Sequence, residues 1–393
     1  MILMDTDITV TLVLMFVMSI VYVLLIPQFY GLQARMGISQ LKKAVKELED
    51  LARESRKVAL KSLSKHGKPK RDVEKDLDNI LEFFAIEPVS EDPIGVLNRL
   101  EHILDVRKSR FEGIVKGLAP KADHESAANL EMVIEGAMAN YALYRITRHF
   151  MLLAEKTKNI QLVMLVQLNL PFLREFAKGF RDATKAFAEG KPIGDGVGPL
   201  TVTHFAKNAK WVKPVEETVY AEVNFEGRKL LLIKASGPGG RVGKPGELVR
   251  WLVNRRKVAR IIMIDAAGKL EGELSGRVVE GVGAAIGGPP TEKYKIEEVA
   301  TKRKIPVDAI VVMESFTEAI KPLHKRLADG AEVAAERVKR AVRERTKAGD
   351  TVIVAGIGNS IGIGQKPGEI PTEFPAAPTK GKDELESATL PIR

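Results

Sequence analysis

At 393 residues the chain has room for two or three domains, and 45% hydrophobic with 28% charged residues suits a folded protein. The absence of cysteine excludes disulfides, thiol nucleophiles, iron–sulfur clusters and cysteine zinc sites, and the six histidines never recur at metal-ligand spacing. The net charge of +10 is unevenly spread, with seven basic and no acidic residues across 56–71.

The first element is the uncharged run 8–26. As a helix it spans about 28 Å, the thickness of a bilayer's hydrocarbon core. Asp5 and Asp7 precede it, and Arg35, Lys42, Lys43 and Lys46 follow. Basic flanks stay on the cytoplasmic side, so the N-terminus is placed outside and the C-terminal domains in the cytoplasm. The acidic start and long apolar core speak against a cleaved signal peptide. Residues 1–30 therefore read as a single-pass transmembrane anchor in the cell membrane, and 31–70 as a basic juxtamembrane helix. The basic run 56–71 suits an anionic lipid surface, at about 1 kcal/mol per residue close to the headgroups. Nucleic acid is not expected as a partner, because no aromatic residues interleave with the basic ones.

The spacing of Leu41, Ala44, Leu48, Leu51, Ser55 and Val58 predicts a helix over 39–64, capped by Ser39. Its heptad-like stripe suits self-association into a homo-oligomer, or packing on the next domain. Residues 71–189 read as an α-helical bundle. Helix signals fall at 71–84, at 93–118 with Asp92 as cap and Pro93 in the first turn, at 127–156, and at 160–188 with a kink at Pro171. Within it, 159–173 is uncharged; a buried bundle helix is the ordinary reading, and a re-entrant membrane segment the alternative. The glycines of 190–217 read as a linker or mobile loop.

From 218 to 364 the pattern changes. Strands at 218–224 and 228–235 are joined by the hairpin signal Glu226-Gly227. A helix at 247–254, a strand at 260–264, helical segments near 276–283 and 291–303, a strand at 309–313, a helix at 316–346 and a strand at 351–355 follow. That alternation predicts an α/β domain with a mostly parallel sheet. The proline-rich tail 365–393 reads as disordered.

In an open parallel sheet, ligands bind beyond the carboxyl ends of the strands. Those ends carry Ser236, Gly237, Gly239, Gly240, Arg241 and Lys244 after one strand, Asp265 after the next, Glu314 after a third, and Gly356, Gly358, Asn359 and Ser360 after the last. Glycine loops bring backbone N–H groups to an anion, and Arg241 and Lys244 add charge, so a phosphorylated or nucleotide-like small molecule is the expected ligand. The spacing is not a P-loop, because Pro245 stands where a magnesium-binding hydroxyl is required. Gly358-x-Ser360-x-Gly362 matches a nucleophile elbow, but no histidine follows the serine. Asp265, Glu271, Glu273 and Glu280 form an acidic set of the kind that holds Mg²⁺ beside a phosphorylated substrate; solvated loop carboxylates are the plainer reading.

The stretches Val279-Glu280-Gly281-Val282-Gly283-Ala284-Ala285-Ile286-Gly287-Gly288 and Asp350-Thr351-Val352-Ile353-Val354-Ala355-Gly356-Ile357-Gly358-Asn359-Ser360-Ile361-Gly362, with the N-terminal run, resemble an uncharacterised archaeal membrane-protein family, a domain of unknown function. That resemblance implies a localisation and no activity. The stretch 307–315, with 348–356, is similar to the C-terminal effector domain of pyruvate kinases, which implies the sheet. Three functions remain open: a sensor or regulator that binds an anionic small molecule, a magnesium-dependent phosphoryl-handling enzyme, and a membrane-tethered scaffold with no small ligand.

Overall fold

A computed structural model describes residues 3–69, 73–83, 95–207, 209–237, 239–288, 290–364 and 373–377. The chain clusters into two compact units, Met1–Arg53 with Asn140–Lys178, and Glu54–Ala139 with Gly179–Arg393. The helices are α1 (Leu3–Ser62), α2 (Glu74–Ile80), α3 (Val96–Leu118), α4 (His124–Thr157), α5 (Ile160–Ala188), α6 (Val197–Thr203), α7 (Pro245–Val253), α8 (Pro290–Arg303), α9 (Phe316–Ala319) and α10 (Lys325–Arg345). The strands are β1 (Trp211–Val215), β2 (Thr218–Phe225), β3 (Arg228–Ala235), β4 (Arg260–Gly268), β5 (Val278–Val282), β6 (Val307–Glu314) and β7 (Thr351–Gly356).

The transmembrane expectation is corrected. Among the described residues, no helix is long and apolar enough to cross a membrane. The run 8–26 is not a separate span: α1 continues through Arg35, Lys42 and Lys43 to Ser62 without a break. The single-pass anchor, its orientation and the boundary at residue 30 lose their support. The cap at Asp92 and Pro93, and the proline-rich tail apart from 373–377, lie outside the described residues.

In the smaller unit, Leu41, Ala44 and Val45 of α1 pack with Met151 and Ala154 of α4 and with Val163, Val166 and Leu170 of α5. These positions recur every three or four residues, the spacing of one helical face. Asn140 donates its amide to the Leu51 and Ala177 carbonyls, at 3.3 and 3.1 Å.

The larger unit holds a sheet of order β1-β2-β3-β7-β4-β6-β5. Its four central strands β3, β7, β4 and β6 are parallel, while β1, β2 and β5 pair antiparallel. The expected mostly parallel sheet is thus corrected to a mixed one, for a local reason at each edge. The β2–β3 connection is the two-residue turn Glu226-Gly227, with φ of 48° and 76°. Two left-handed residues make the tight turn that fits twisted antiparallel strands. At the other edge, 276–283, expected helical, is instead β5: its valines favour a strand, and it pairs antiparallel to β6.

Strands buried on both faces alternate into two cores. Leu230, Leu232, Ile262, Ile264, Val352 and Val354 face α6 and α10. Leu231, Ile233, Ile261, Met263, Ile353 and Ala355 face α7 and α8. Each fully buried aliphatic side chain contributes about 1.5–3 kcal/mol. The single helix expected over 316–346 is broken between α9 and α10, where Pro322 lacks the N–H a helix interior needs. Residues 190–217, read as a linker, contain α6, whose seven residues are all buried.

Candidate functional site

Because β3, β7, β4 and β6 run parallel, their carboxyl ends share one edge. The loop 236–244, Asp265, Glu314 and the loop 357–364 therefore gather there, as the sequence predicts. Pro238 within the first loop lies outside the described residues.

Part of this rim is closed by the chain itself. The turn at Gly194–Gly196 and the start of α6 lie across the ends of β4 and β7. A Cβ at Gly356 would collide with the Gly198 carbonyl, one at Gly198 with the Ile357 carbonyl, and one at Gly358 with the Asp195 carbonyl. The Ile357 N–H donates to the Ile264 carbonyl at 2.7 Å, and the Asn359 N–H to Asp195 Oδ2 at 2.7 Å. Asn359 Nδ2 donates to the Gly240 carbonyl at 2.7 Å, joining two rim loops. At Gly356 and Gly358 the missing side chains admit backbone, and the space that a phosphate would need is filled.

Beneath this closure sit carboxylates. Asp265 accepts from the Gly287 and Ala266 N–H groups, each at 2.8 Å, yet burial and the neighbouring Asp195 push its carboxyl up to about 7. Burial lifts Asp195 to about 6, against the Asn359 N–H. Glu314 is 2% exposed and neither oxygen has a hydrogen-bond partner among the described residues. Burial, then Asp195, Glu318 and Asp265, raise it well above the usual range. Glu318 goes the other way, to about 2: burial opposes its charge, but His324, the Ser315 N–H and the Ser275 hydroxyl outweigh that. His324 Nε2 lies 3.0 Å from Glu318 Oε1, and Ser275 Oγ donates to Oε2 at 2.7 Å. Ser360 is fully buried with no hydroxyl partner among the described residues.

Beside the open part of the rim lies a cleft of about 310 Å³ between α3, α4 and the loop after β3. Leu104, Phe111 and Met132 supply its apolar wall; Gly240, Arg241, Val242, Gly243 and Lys244 supply the opposite side. Arg241 is bonded to three carboxylates, Glu112 at 2.8 Å, Glu217 at 2.9 Å, and Glu131. Lys244 pairs with Asp105 at 3.1 Å and Lys108 with Glu216 at 2.6 Å and Glu217 at 3.1 Å. Lys295 joins Glu101 and Glu292, at 2.6 and 2.8 Å. Glu135 also lines the cleft and pairs with Arg107 at 3.4 Å. Carboxylates outnumber cations in this network. Burial is the main reason Glu131 is pushed up to about 7, with Glu112 and Glu135 adding to it against the pull of Arg241.

The sequence singles out Arg241 and Lys244 but misses their acidic partners: Asp105, Glu112 and Glu131 come from α3 and α4, more than a hundred residues away, and Glu217 from the turn between β1 and β2. Within the basic run 56–71, Arg56 is likewise engaged: it donates to Asp78 at 2.6 Å and to Glu74 at 3.3 Å. The acidic set around Asp265 is dispersed. Glu271 is exposed, Glu273 pairs with Arg277 at 2.5 Å, and Glu280 pairs with Arg337, Arg340 and Arg345 at 3.2, 2.5 and 2.7 Å. Among the described residues, no group of three His, Asp or Glu side chains is placed to hold a metal ion.

Two family models match in tandem. Residues 13–190 match "Protein of unknown function (DUF1512) N-terminal domain", and 193–364 match "Domain of unknown function (DUF1512) C-terminal". The two residues between the matches, 191–192, fall just before the Gly194–Gly196 turn that opens the rim closure. The matches bear out the resemblance to an uncharacterised domain family; they do not extend to an archaeal source or to pyruvate kinase. No curated protein matches the chain.

Proposed function

We propose that this chain, which belongs to the DUF1512 family, is a small-molecule-binding module whose ligand carries positive charge and sits in the cleft between α3, α4 and the loop after β3. One observation carries the reading: five carboxylates line the cleft against four cations, and Glu112 and Glu131 add to them through Arg241. Arg241 faces Glu112, Glu131 and Glu217 together. A second anion there meets repulsion, whereas an amine relieves it. The apolar wall of Leu104, Phe111 and Met132 suits a short hydrocarbon segment between polar groups. The cleft volume of about 310 Å³ is at the small end for ligand pockets.

The same geometry weighs against the phosphorylated ligand expected from the glycine loops. Arg241 and Lys244 are already neutralised, and the rim at Gly356 and Gly358 is filled by the chain's own backbone. The ion pairs tie α3 and α4 to the loop after β3, so a cationic ligand competing for Glu217 or Asp105 alters that tie. This supports a sensor or regulator rather than an enzyme.

The test is thermal-shift and calorimetric titration of the full chain with polyamines and basic amino acids, against inorganic phosphate and nucleotides at matched ionic strength. A diamine or polyamine is expected to stabilise the chain, and Asp105→Asn with Glu217→Gln is expected to weaken that at least tenfold. Binding of a nucleotide or phosphate, with no response to amines, overturns the proposal.

A further inference from the structure

In the smaller unit, the hairpin of α4 and α5 is apolar on two opposite sides. Val163, Val166 and Leu170 of α5 form its buried face. Met164, Leu165, Leu168 and Phe172, at 62, 56, 74 and 66% exposure, form the outer one. At about 100° per residue these two sets lie on opposite sides of the helix. On α4, Met151 and Ala154 are buried, while Ile146, Phe150 and Leu153 are exposed. A helix that ends at water carries a polar outer face; one that is apolar all round is covered by something.

The polar groups in this region are arranged for an apolar neighbour. Residues 159–173 carry no charge. Asn169, within the exposed stretch, turns its amide back to the Leu165 carbonyl at 2.8 Å, and Thr157 turns its hydroxyl back to the Leu153 carbonyl at 2.8 Å. The charges that border the stripe are basic. Arg145, Arg148 and Lys156 share one row of α4, and Lys158 sits at the hairpin turn, all exposed. Glu155, the acidic residue among them, is paired with Lys42 at 2.6 Å.

We propose that this hairpin docks on an anionic lipid surface, lying in the headgroup–acyl boundary with its outer apolar stripe inward and its basic row against the phosphates. This is a lipid contact without a crossing: fifteen residues of helix reach about 22 Å, short of the roughly 30 Å hydrocarbon core. An apolar helical face flanked by Lys and Arg is the pattern that binds this boundary. A second copy of the chain is the poorer occupant, because apposing two such faces brings their basic rows together. The inference is independent of the cleft.

The chain has no cysteine, so one can be placed at will. Leu168→Cys in the full chain, labelled with a polarity-sensitive fluorophore, is mixed with equimolar phosphatidylcholine–phosphatidylglycerol vesicles. A second probe at Val333→Cys, on the exposed side of α10, reports on the larger unit. The emission at 168 is expected to shift blue and to be quenched by brominated acyl chains, while that at 333 is unchanged. Arg148→Glu with Lys156→Glu is expected to weaken vesicle binding about tenfold or more. An unquenched probe at 168 while the chain co-sediments with vesicles overturns the proposal. So does a blue shift that grows with protein concentration in the absence of lipid, which assigns the face to a second copy.

Discussion

Arg241, on the loop after β3, is bonded to Glu131, whose side chain is 8% exposed on α4. Removing the guanidinium leaves a buried carboxylate beside Glu112 and Glu135, which already push it up. Arg241→Met is therefore expected to destabilise the chain by about 2–4 kcal/mol at pH 8, where the folded variant must either keep Glu131 protonated against the solvent or bury its charge unpaired. At pH 5.5 the carboxyl stays protonated and the loss is expected to fall below about half of that. Denaturant unfolding at both pH values checks this. An equal loss at both would show that the cost lies in packing and not in the Glu131 charge.

The carboxylates under the rim, with Glu131 of the cleft network, give the chain a pH signature. Asp265 at about 7, Asp195 at about 6 and Glu131 at about 7 all titrate above their unfolded values, and Glu314 is raised in the same direction. A folded state that holds protons more tightly than the unfolded one gains stability as pH falls. Stability is therefore expected to rise on acidification from about pH 8 to about pH 5. Below about pH 4 the sign reverses, because Glu318, held at about 2, binds protons more readily when unfolded. Asp265→Asn is expected to flatten the upper slope visibly. Thermal midpoints from pH 3.5 to 8.5 measure both limbs, and a midpoint that falls steadily from pH 8 to pH 5 contradicts the assignment.

The unbroken apolar runs 230–233, 261–264 and 352–355 announce strands buried on both faces, and chain direction alone places their ends on one edge. What closes that edge is not legible. Asp195 reaches Asn359 across 164 residues, and no local pattern connects a glycine-rich stretch to the loop it will cover. Arg241 and Lys244 are legible as a basic loop, but whether they await an anion depends on Glu131 and Asp105, fixed by the packing of α3 and α4. Trp211–Val215 escapes notice because Pro214 interrupts it, which an edge strand tolerates. The uncharged run 8–26 misleads in the other direction: its hydropathy suggests a discrete anchor, whereas backbone continuity makes it one end of α1.

Gly358 and Gly272 separate a glycine that admits backbone from one that only turns. Both have positive φ, 128° and 84°, but a Cβ at Gly358 would strike the Asp195 carbonyl, and one at Gly272 meets nothing within 4 Å. Gly272→Ala is expected to cost about 1–2 kcal/mol, the strain of a left-handed residue. Gly358→Ala adds a collision that only separation of 195 from the rim relieves, and is expected to cost more than about 3 kcal/mol. Urea unfolding of the two variants gives the comparison directly. Near-equal losses would mean that the closure over β7 yields easily.

Glu292 does two jobs, and its variants separate them. Its Oε2 accepts from the Gly246 and Glu247 N–H groups, at 2.7 and 3.1 Å, and so caps α7 from a different helix. Its Oε1 pairs with Lys295 at 2.8 Å, and the two residues are 4 and 5% exposed. Glu292→Gln keeps an acceptor for the cap but removes the charge opposite Lys295, and is expected to cost about 1–2 kcal/mol. Glu292→Ala loses both functions and is expected to cost about 3–5 kcal/mol, since it leaves a buried ammonium with Glu101 and two uncapped donors. Adding Lys295→Met to Glu292→Gln removes the unmatched charge and restores apolar packing, so part of the loss is expected to return. If the double variant unfolds at the same urea midpoint as Glu292→Gln alone, the cost belongs to the cap of α7 and not to the ion pair.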